Sequence, residues 1–284
     1  MNAEEFRRSH ATGRPLLLPN AWDFASAAAF ADAGFPAVGT TSLGVAAAHG
    51  LPDGRGAARV ETLALARLLG RLPCALTVDI EAGFADDPAE VGDLAAEIAA
   101  AGAVGVNLED GRPDGTLAPV AEHQAKIAAV KERVPAMFVN ARTDTHWLAP
   151  GPPPSAAEAL TRVRAYVDAG ADGVFVPGLL NDAQIAAVVS GVDAPVNVLF
   201  QAGRHTVPRL TALGVRRISF GSLLFRTALQ AAVDTALSVA AGGPGPDAVP
   251  GYREVEALIE RARRASAPER PTPGRASAPE QPTP

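Results

Sequence analysis

Eight strand-like stretches, alternating with helical ones, predict an α/β protein of the (β/α)8 TIM-type barrel class. Three observations carry that prediction. The strand-like runs are apolar almost throughout, which implies burial on both faces, as in a parallel sheet. A helical pattern separates each run from the next, which implies right-handed βαβ crossovers. The count of eight in a chain of 284 residues suits a closed barrel, which runs to about 250 residues as one domain. An open doubly wound sheet is the alternative, but no G-x-G-x-x-G follows the first strand.

The elements follow in order. After a polar start, LLLP at 16–19 is the first strand, and a helix runs from Asp23 to Ala33 with Gly34 as its stop. AVGTTS at 37–42 is the second strand, and SLGVAAAHGLPDG after it reads as a long loop before a helix from Arg59 to Leu69. CALTVDIE is the third strand, with a helix from Pro88 to Ala101; GVNLED at 105–110 is the fourth, with a helix from Val120 to Arg133. AMFVNART at 136–143 is the fifth, and Ser155 is the expected N-cap of the helix that ends near Ala169. GVFVPG at 173–178 is the sixth, followed by a short helix capped by Asn181. VNVLF at 196–200 and RRISFG at 216–221 are the seventh and eighth, and an Ala-rich helix runs from Ser222 to Ala241. The barrel domain is therefore placed at 1–242. A linker and charged helix occupy 243–266, and a Pro-rich tail with the repeated motif RASAPE occupies 267–284.

Composition excludes several classes. A net charge of −6 argues against nucleic acid as a partner. The apolar runs are short and broken, so no membrane span is expected, and the polar N-terminus shows no signal peptide. A single cysteine, Cys74, rules out internal disulfides and fits a cytoplasmic protein; it precedes its strand and reads as a core residue.

In a barrel of this class the active site is built at the C-terminal ends of the strands. LTVDIE at 76–81 ends there in two carboxylates. Asp79 and Glu81 are two positions apart, so on a continuing strand they share a face. Two like charges at close range repel, and a hard divalent cation with oxygen ligands resolves the conflict. Asp53, after the second strand, and Glu109, at the end of the fourth, are positioned to join them on one metal. Arg142 is the cation of the set; it reads either as a planar fork for a substrate carboxylate or as an ion-pair partner of the acids. Thr41-Ser42-Leu43-Gly44 is a turn with backbone N–H groups to offer an oxyanion. Asp110 and Asp144 read as helix or loop caps, and His49, His146 and His205 as surface or rim residues. The two lysines, Lys126 and Lys131, both fall within the fourth helix, which rules out a Schiff-base aldolase and disfavours PLP.

Four stretches then resemble a known family, the isocitrate lyase and phosphoenolpyruvate mutase superfamily. They are LPNAWDFASAAAFADAGFPAVGTTSLGVAAAHGLPDG at 18–54, TVDIEAGF at 77–84, VNLEDG at 106–111 and NARTD at 140–144. The resemblance, closest to the carboxyphosphonoenolpyruvate phosphonomutase-like members, implies a barrel whose last helix is exchanged between subunits of a homodimer or homotetramer. It implies Mg²⁺, with Mn²⁺ as the alternative, and C–C or P–C chemistry beside a 2-oxo acid enolate. By the same resemblance Asp79 is the direct metal ligand, and Asp53, Glu81 and Glu109 hold the metal's waters. Ser42, Leu43 and Gly44 cradle the substrate's carboxylate or enolate oxygen, Arg142 holds the substrate, and Asn197 also faces it. The implied catalytic set is Asp53, Glu109 and Arg142.

Three departures narrow the reaction. Glu81 stands where the family usually has Asp. The loop after Asp110, GRPDGTLAP, lacks both the K-[KR]-C-G-H stretch of the tricarboxylate lyases and the lysine- and asparagine-containing lid of the mutases. Pro177 stands where the tricarboxylate lyases have Glu. The expected function is a Mg²⁺-dependent lyase acting on a small 2-oxo- or 2-hydroxydicarboxylate. The alternatives are a phosphonate enzyme of mutase or phosphonopyruvate hydrolase type, and a non-catalytic barrel that binds a 2-oxo acid.

Overall fold

The first barrel strand is two short pieces, β1 (Leu16–Leu18) and β2 (Asn20–Ala21), interrupted at Pro19, which has no N–H to give to a ladder. The computed structural model describes residues 1–148 and 156–265, so the expected cap Ser155 and the tail at 267–284 lie outside the described residues. β3 (Ala37–Thr40), β4 (Ala75–Asp79), β5 (Gly105–Glu109), β6 (Phe138–Arg142), β7 (Gly173–Phe175), β8 (Val196–Leu199) and β9 (Arg217–Ser219) follow, each parallel to the next. β1 pairs with β9 and β2 with β3, so the two ends of the sheet meet in one stretch of chain and the (β/α)8 barrel closes there.

Asn20 locks the seam. Its Nδ2 donates to the Thr40 carbonyl at 2.7 Å, and its Oδ1 accepts from the N–H groups of Phe220 and Gly221, each at 2.9 Å. These are backbone groups that the interrupted ladder leaves over, and burial makes an unpaired one costly.

The polar start forms a helix, α1 (Ala3–Ser9), where no element was expected. Asn2 and Glu5 make a capping box around its first turn. Phe6 on this helix is fully buried and plugs the barrel floor with Leu16, Leu18, Ala37, Ala75 and Phe138. The expected loop after β3 also contains a helix, α3 (Ser42–Ala48), against the reading of 42–54 as irregular.

The outer layer is α2 (Phe24–Asp32), α4 (Arg59–Leu69), α5 (Pro88–Ala100), α6 (Val120–Arg133), α7 (Ala156–Asp168), α8 (Asp182–Gly191) and α9 (Val207–Ala212). Their buried faces and the outward strand residues form two apolar clusters, one under α2 to α6 and one under α7 to α9.

The last two helices behave differently from these. α10 (Leu223–Ala240) leaves Leu229, Val233, Leu237 and Val239 exposed. By length and composition it is apolar enough to cross a membrane, with mean hydropathy 1.2 over its 18 residues, which qualifies the expectation that no such segment exists. α11 (Tyr252–Ala265) returns to the barrel: Leu258 and Ala262 join the larger cluster, and Arg261 meets Asp32 at 2.9 Å.

Candidate active site

A cavity of about 100 Å³ opens at the C-terminal mouth of the barrel. Ser42, Leu43, Asp53, Asp79 and Arg142 line it, so five of the residues singled out in the sequence converge. The volume is well below the roughly 300–1,000 Å³ of sites for drug-sized ligands, which restricts the occupant to a small molecule.

Asp79 ends β4 and is firmly held. Its N–H donates to Thr40 Oγ1 at 2.8 Å, and its Oδ1 accepts the Glu81 N–H at 3.3 Å. The Ser42 amide also hydrogen-bonds its carboxylate, so one of the expected oxyanion donors is turned to the protein's own acid. Burial raises the Asp79 pKa; the charge of Arg142 opposes this and that of Asp53 adds to it.

Glu81 does not share the Asp79 face. The strand stops at Asp79, and Glu81 lies in the following turn with φ of 48°, a left-handed conformation uncommon outside glycine. The alternation of a strand therefore does not extend to it. Its side chain lines a neighbouring cavity of about 250 Å³ together with Glu109 and Lys126. There Oε2 accepts the Gly56 N–H at 2.8 Å, while Oε1 is buried with no hydrogen bond. Burial lifts its pKa to about 7; the Gly56 bond opposes the shift and the charges of Asp79 and Asp53 reinforce it. Lys126 is less remote than its helix suggested, since its Nζ donates to the Ala82 carbonyl at 2.9 Å, beside Glu81.

Arg142 is both a cavity residue and an ion-pair partner. Nη1 stands 2.5 Å from Glu109 Oε2, though without hydrogen-bond alignment, and Nε and Nη2 reach the two oxygens of Asp144 at 2.5 and 3.0 Å. Its guanidinium lies 5.8 Å from the Phe175 ring centroid. Burial would lower its pKa, but Glu109 and Asp144 outweigh that and hold it above the ordinary value. Glu109 is shifted upward by burial, with Arg142 opposing.

Asp110 and Asp144 cap no helix. Asp110 is a buried tie between loops: it accepts from Thr143 Oγ1 and the Asp144 N–H at 2.8 Å, from the Tyr166 hydroxyl at 2.6 Å and from Arg162 at 3.2 Å. That network fixes Asp144, which in turn fixes Arg142. His49 is exposed as expected, but His146 and His205 are buried, so the surface reading fails for both. Gly44 is packed behind the cavity wall, where an added Cβ would come 2.7 Å from Thr41 Cγ2 and 2.8 Å from Trp22 Cβ. Asn197 is buried and donates to Ser219 Oγ at 3.1 Å; it is Ser219, not Asn197, that lines the cavity.

The four acids offer only oxygen donors, the chemistry of a site for a hard cation. Glu81 Oε1 is a buried acceptor without a hydrogen bond, Glu109 Oε2 has only the Arg142 ion pair, and Asp79, Glu81 and Glu109 all have raised pKa values. Among the described residues no three acids or imidazoles stand close enough to form a direct ligand set. Mg²⁺ typically takes one or two carboxylates and keeps several waters, which this spread accommodates.

The model of the family described as phosphoenolpyruvate phosphomutase matches residues 6–240. The chain belongs to that family. A relative from Mycobacterium tuberculosis (strain ATCC 25618 / H37Rv), an uncharacterized protein, is 43% identical over 263 residues, 92% of this chain and 98% of its own length. A 2-methylisocitrate lyase from Halalkalibacterium halodurans is 29% identical over 238 residues, 78% of this chain and 75% of the relative. The solved structure of a phosphonopyruvate hydrolase with oxalate and Mg²⁺ superposes with a TM-score of 0.81, covering 93% of this chain and 97% of that one; at 24% identity it speaks for the shared fold.

Two residues of this family member were not foreseen. Asn20, at the barrel seam, lines the cavity behind Pro19. Arg217, the first residue of β9, also lines it. The available signal was parity: Ser219 faces the cavity, and Arg217 lies two positions earlier on the same strand.

Proposed function

We propose that the protein is a Mg²⁺-dependent lyase that breaks a C–C bond in a small 2-oxo- or 2-hydroxydicarboxylate through an enolate. The observation that carries this is the meeting of Asp79, Asp53 and Arg142 in one small cavity, with the orphaned Glu81 Oε1 and the Arg142-paired Glu109 close behind. Asp79 would hold the ion, with Asp53, Glu81 and Glu109 as the surrounding acids. A bound Mg²⁺ polarises substrate oxygens and offsets the charge that develops on an enolate.

The chain's own residues do the rest. Arg142 takes a substrate carboxylate with a fork that Glu109 and Asp144 keep in place, which is preorganisation in the catalytic sense. Thr40 and the Glu81 amide fix Asp79. Phe175, Pro177 and Leu199 form the apolar wall that limits water at the reacting carbon. Asp53, Glu109 and Arg142 form the catalytic set, with Ser42 and Leu43 at the substrate's edge. A cytoplasmic homodimer or homotetramer completes the reading. The exposed stripe Leu229, Val233, Leu237 supports association, because Arg226, Gln230 and Asp234 place a polar stripe on the same helix, unlike a lipid-facing span.

The family's phosphomutase members favour a second reading, a phosphonate enzyme of mutase or hydrolase type. A non-catalytic 2-oxo-acid-binding barrel is disfavoured, because a cluster of buried acids is costly without a cation. A substrate panel with Mg²⁺ separates the three. Release of a 2-oxo acid from oxaloacetate-like or malate-like substrates supports the lyase, turnover of phosphonopyruvate supports the second reading, and no turnover of either supports the third. Isocitrate and 2-methylisocitrate are expected to be poor substrates, since Pro177 supplies no contact for a third carboxylate and Cys74 lies at the opposite end of its strand.

A further inference from the structure

We infer that Arg217 is a second anion anchor at the floor of the active-site cavity, holding the distal carboxylate of a small dianionic substrate that points down the barrel axis. The inference rests on the reading above, in which Asp79 and Arg142 bind the reacting end.

Arg217 is 3% exposed, yet it lines the cavity. Strand alternation puts it on the inner face with Ser219, while Ile218 between them joins the outer apolar cluster. An arginine carries five donors and stays protonated. Here Nε and Nη1 are both buried without a hydrogen bond, and among the described residues no carboxylate lies within 4.0 Å. Arg142, the other arginine that lines the cavity, is paired with Glu109 and Asp144. A buried guanidinium with no counter-charge is expensive, and water can fill its hydrogen bonds but cannot neutralise it. Burial pushes its pKa down to about 9, and Asp79 is the charge that opposes this. If Asp79 is committed to a divalent cation, Arg217 has no partner left except a ligand.

Arg217 lies deeper than Arg142. The backbone row runs Arg142, Phe175, Asn197, Arg217, Leu16 across successive parallel strands, which tilt against the barrel axis. Leu16, at the far end of that row, belongs to the floor cluster with Phe6 and Phe138. His10, which stacks on Phe138 at 4.5 Å, also senses the Arg217 charge. Two further orphaned atoms mark this part of the barrel, Thr77 Oγ1 and Asn197 Oδ1, and Thr77 lines the cavity too. One cavity thus holds a cation at the mouth and another toward the floor, with Asp79 on the same wall. A substrate with one carboxylate leaves Arg217 unpaired, so the fit is a small dicarboxylate.

The test is calorimetry on the Mg²⁺-loaded full chain with three probes: oxalate for the reacting end, malate as a hydroxydicarboxylate, and lactate as its counterpart without the distal carboxylate. Wild type is expected to bind malate roughly ten- to a hundred-fold more tightly than lactate, as charged hydrogen bonds allow. Arg217→Met should close that gap, keep oxalate affinity, and melt no lower than wild type without ligand, since it removes an unpaired buried charge. Arg217→Lys, which keeps charge and loses the fork, should retain part of the gap and serves if the Met variant does not fold. A malate preference that survives undiminished in Arg217→Met, or in Arg217→Lys where only that variant folds, or that is absent from wild type that binds oxalate, overturns the Arg217 assignment alone. Wild type that fails to bind oxalate with Mg²⁺ overturns the enolate-site reading and this inference with it.

Discussion

Glu109 and Arg142 face each other across β5 and β6 at the same register position, with Glu109 Oε2 2.5 Å from Arg142 Nη1. Asp144 clamps the same guanidinium from the other side. Removing one partner of such a group leaves buried charge uncompensated. Arg142→Met is therefore expected to abolish activity and to lower stability by roughly 3–5 kcal/mol, because two carboxylates lose their cation. Denaturant titration and a turnover assay check both parts. A variant of wild-type stability would show that the pairs contribute little.

The barrel seam makes a second, purely structural prediction. Asn20→Ala leaves the Thr40 carbonyl and the amides of Phe220 and Gly221 without their partner. A loss of about 2–4 kcal/mol follows from the cost of unsatisfied buried groups, or a fall in Tm of roughly 5–15 °C for a domain of this size. Calorimetric melting measures it. Asn20→Asp should also destabilise, since a carboxylate keeps the two accepted bonds but opposes the Thr40 oxygen. A Tm within a degree of wild type for both variants would mean that the ladder pairs on either side of Pro19 close the barrel unaided.

Acid titration gives the third prediction. The Glu81 carboxyl is raised from its ordinary 4.5 to about 7, and Asp79 and Glu109 are raised as well. The folded, metal-free protein therefore holds protons that the unfolded chain has lost between those values. The Glu81 contribution to stability falls as pH rises from about 4.5 through about 7, and the raised Asp79 and Glu109 carboxyls act in the same direction. Mg²⁺ competes with those protons, so its stabilising effect should grow over the same range. Melting curves with chelator and with saturating Mg²⁺, from about pH 5 to about pH 8, test the sign. A Mg²⁺ effect that is the same at every pH would place the ion away from these acids.

α10 carries the fourth. Leu229, Val233 and Leu237 recur every four residues on an exposed face, and Gln230 and Asp234 pair on another at 2.7 Å. A homodimer or homotetramer that covers this stripe is expected in solution by light scattering, and Val233→Asp should shift it toward monomer. A monomeric wild type at micromolar concentration would contradict the assembly.

The fold was largely legible because buried parallel strands write a strong signal. Runs such as LTVD and FVNAR need apolar residues on both faces, and each falls on its expected strand. The site was half legible for the same reason: Asp79 and Arg142 each end a strand, so position along the strand gives position in the barrel. The misses have separate causes. Glu81 was assigned by alternation beyond the point where the strand stops. Asn20 acts through backbone groups at opposite ends of the chain, a relation no local pattern contains. Arg217 belongs to a pair of arginines at a strand start, which reads as ordinary flanking charge until the barrel places one of them inside. α1 is polar apart from Phe6, and only the open barrel floor gives that one side chain somewhere to go.

The claim at the centre is that the Asp79 carboxylate holds a Mg²⁺ that the reaction needs. The most direct measurement is 2-oxo-acid release from a panel of four-carbon 2-oxo- and 2-hydroxydicarboxylates by wild type and by Asp79→Asn, each with Mg²⁺ and with excess chelator. Wild type should turn over at least one of them only when Mg²⁺ is present, and Asp79→Asn, folded by melting, should lose roughly a thousand-fold or more, the several kcal/mol that a Lewis acid contributes. Turnover that persists in chelator, or an Asp79→Asn variant with wild-type rate and the same Mg²⁺ dependence, would contradict it.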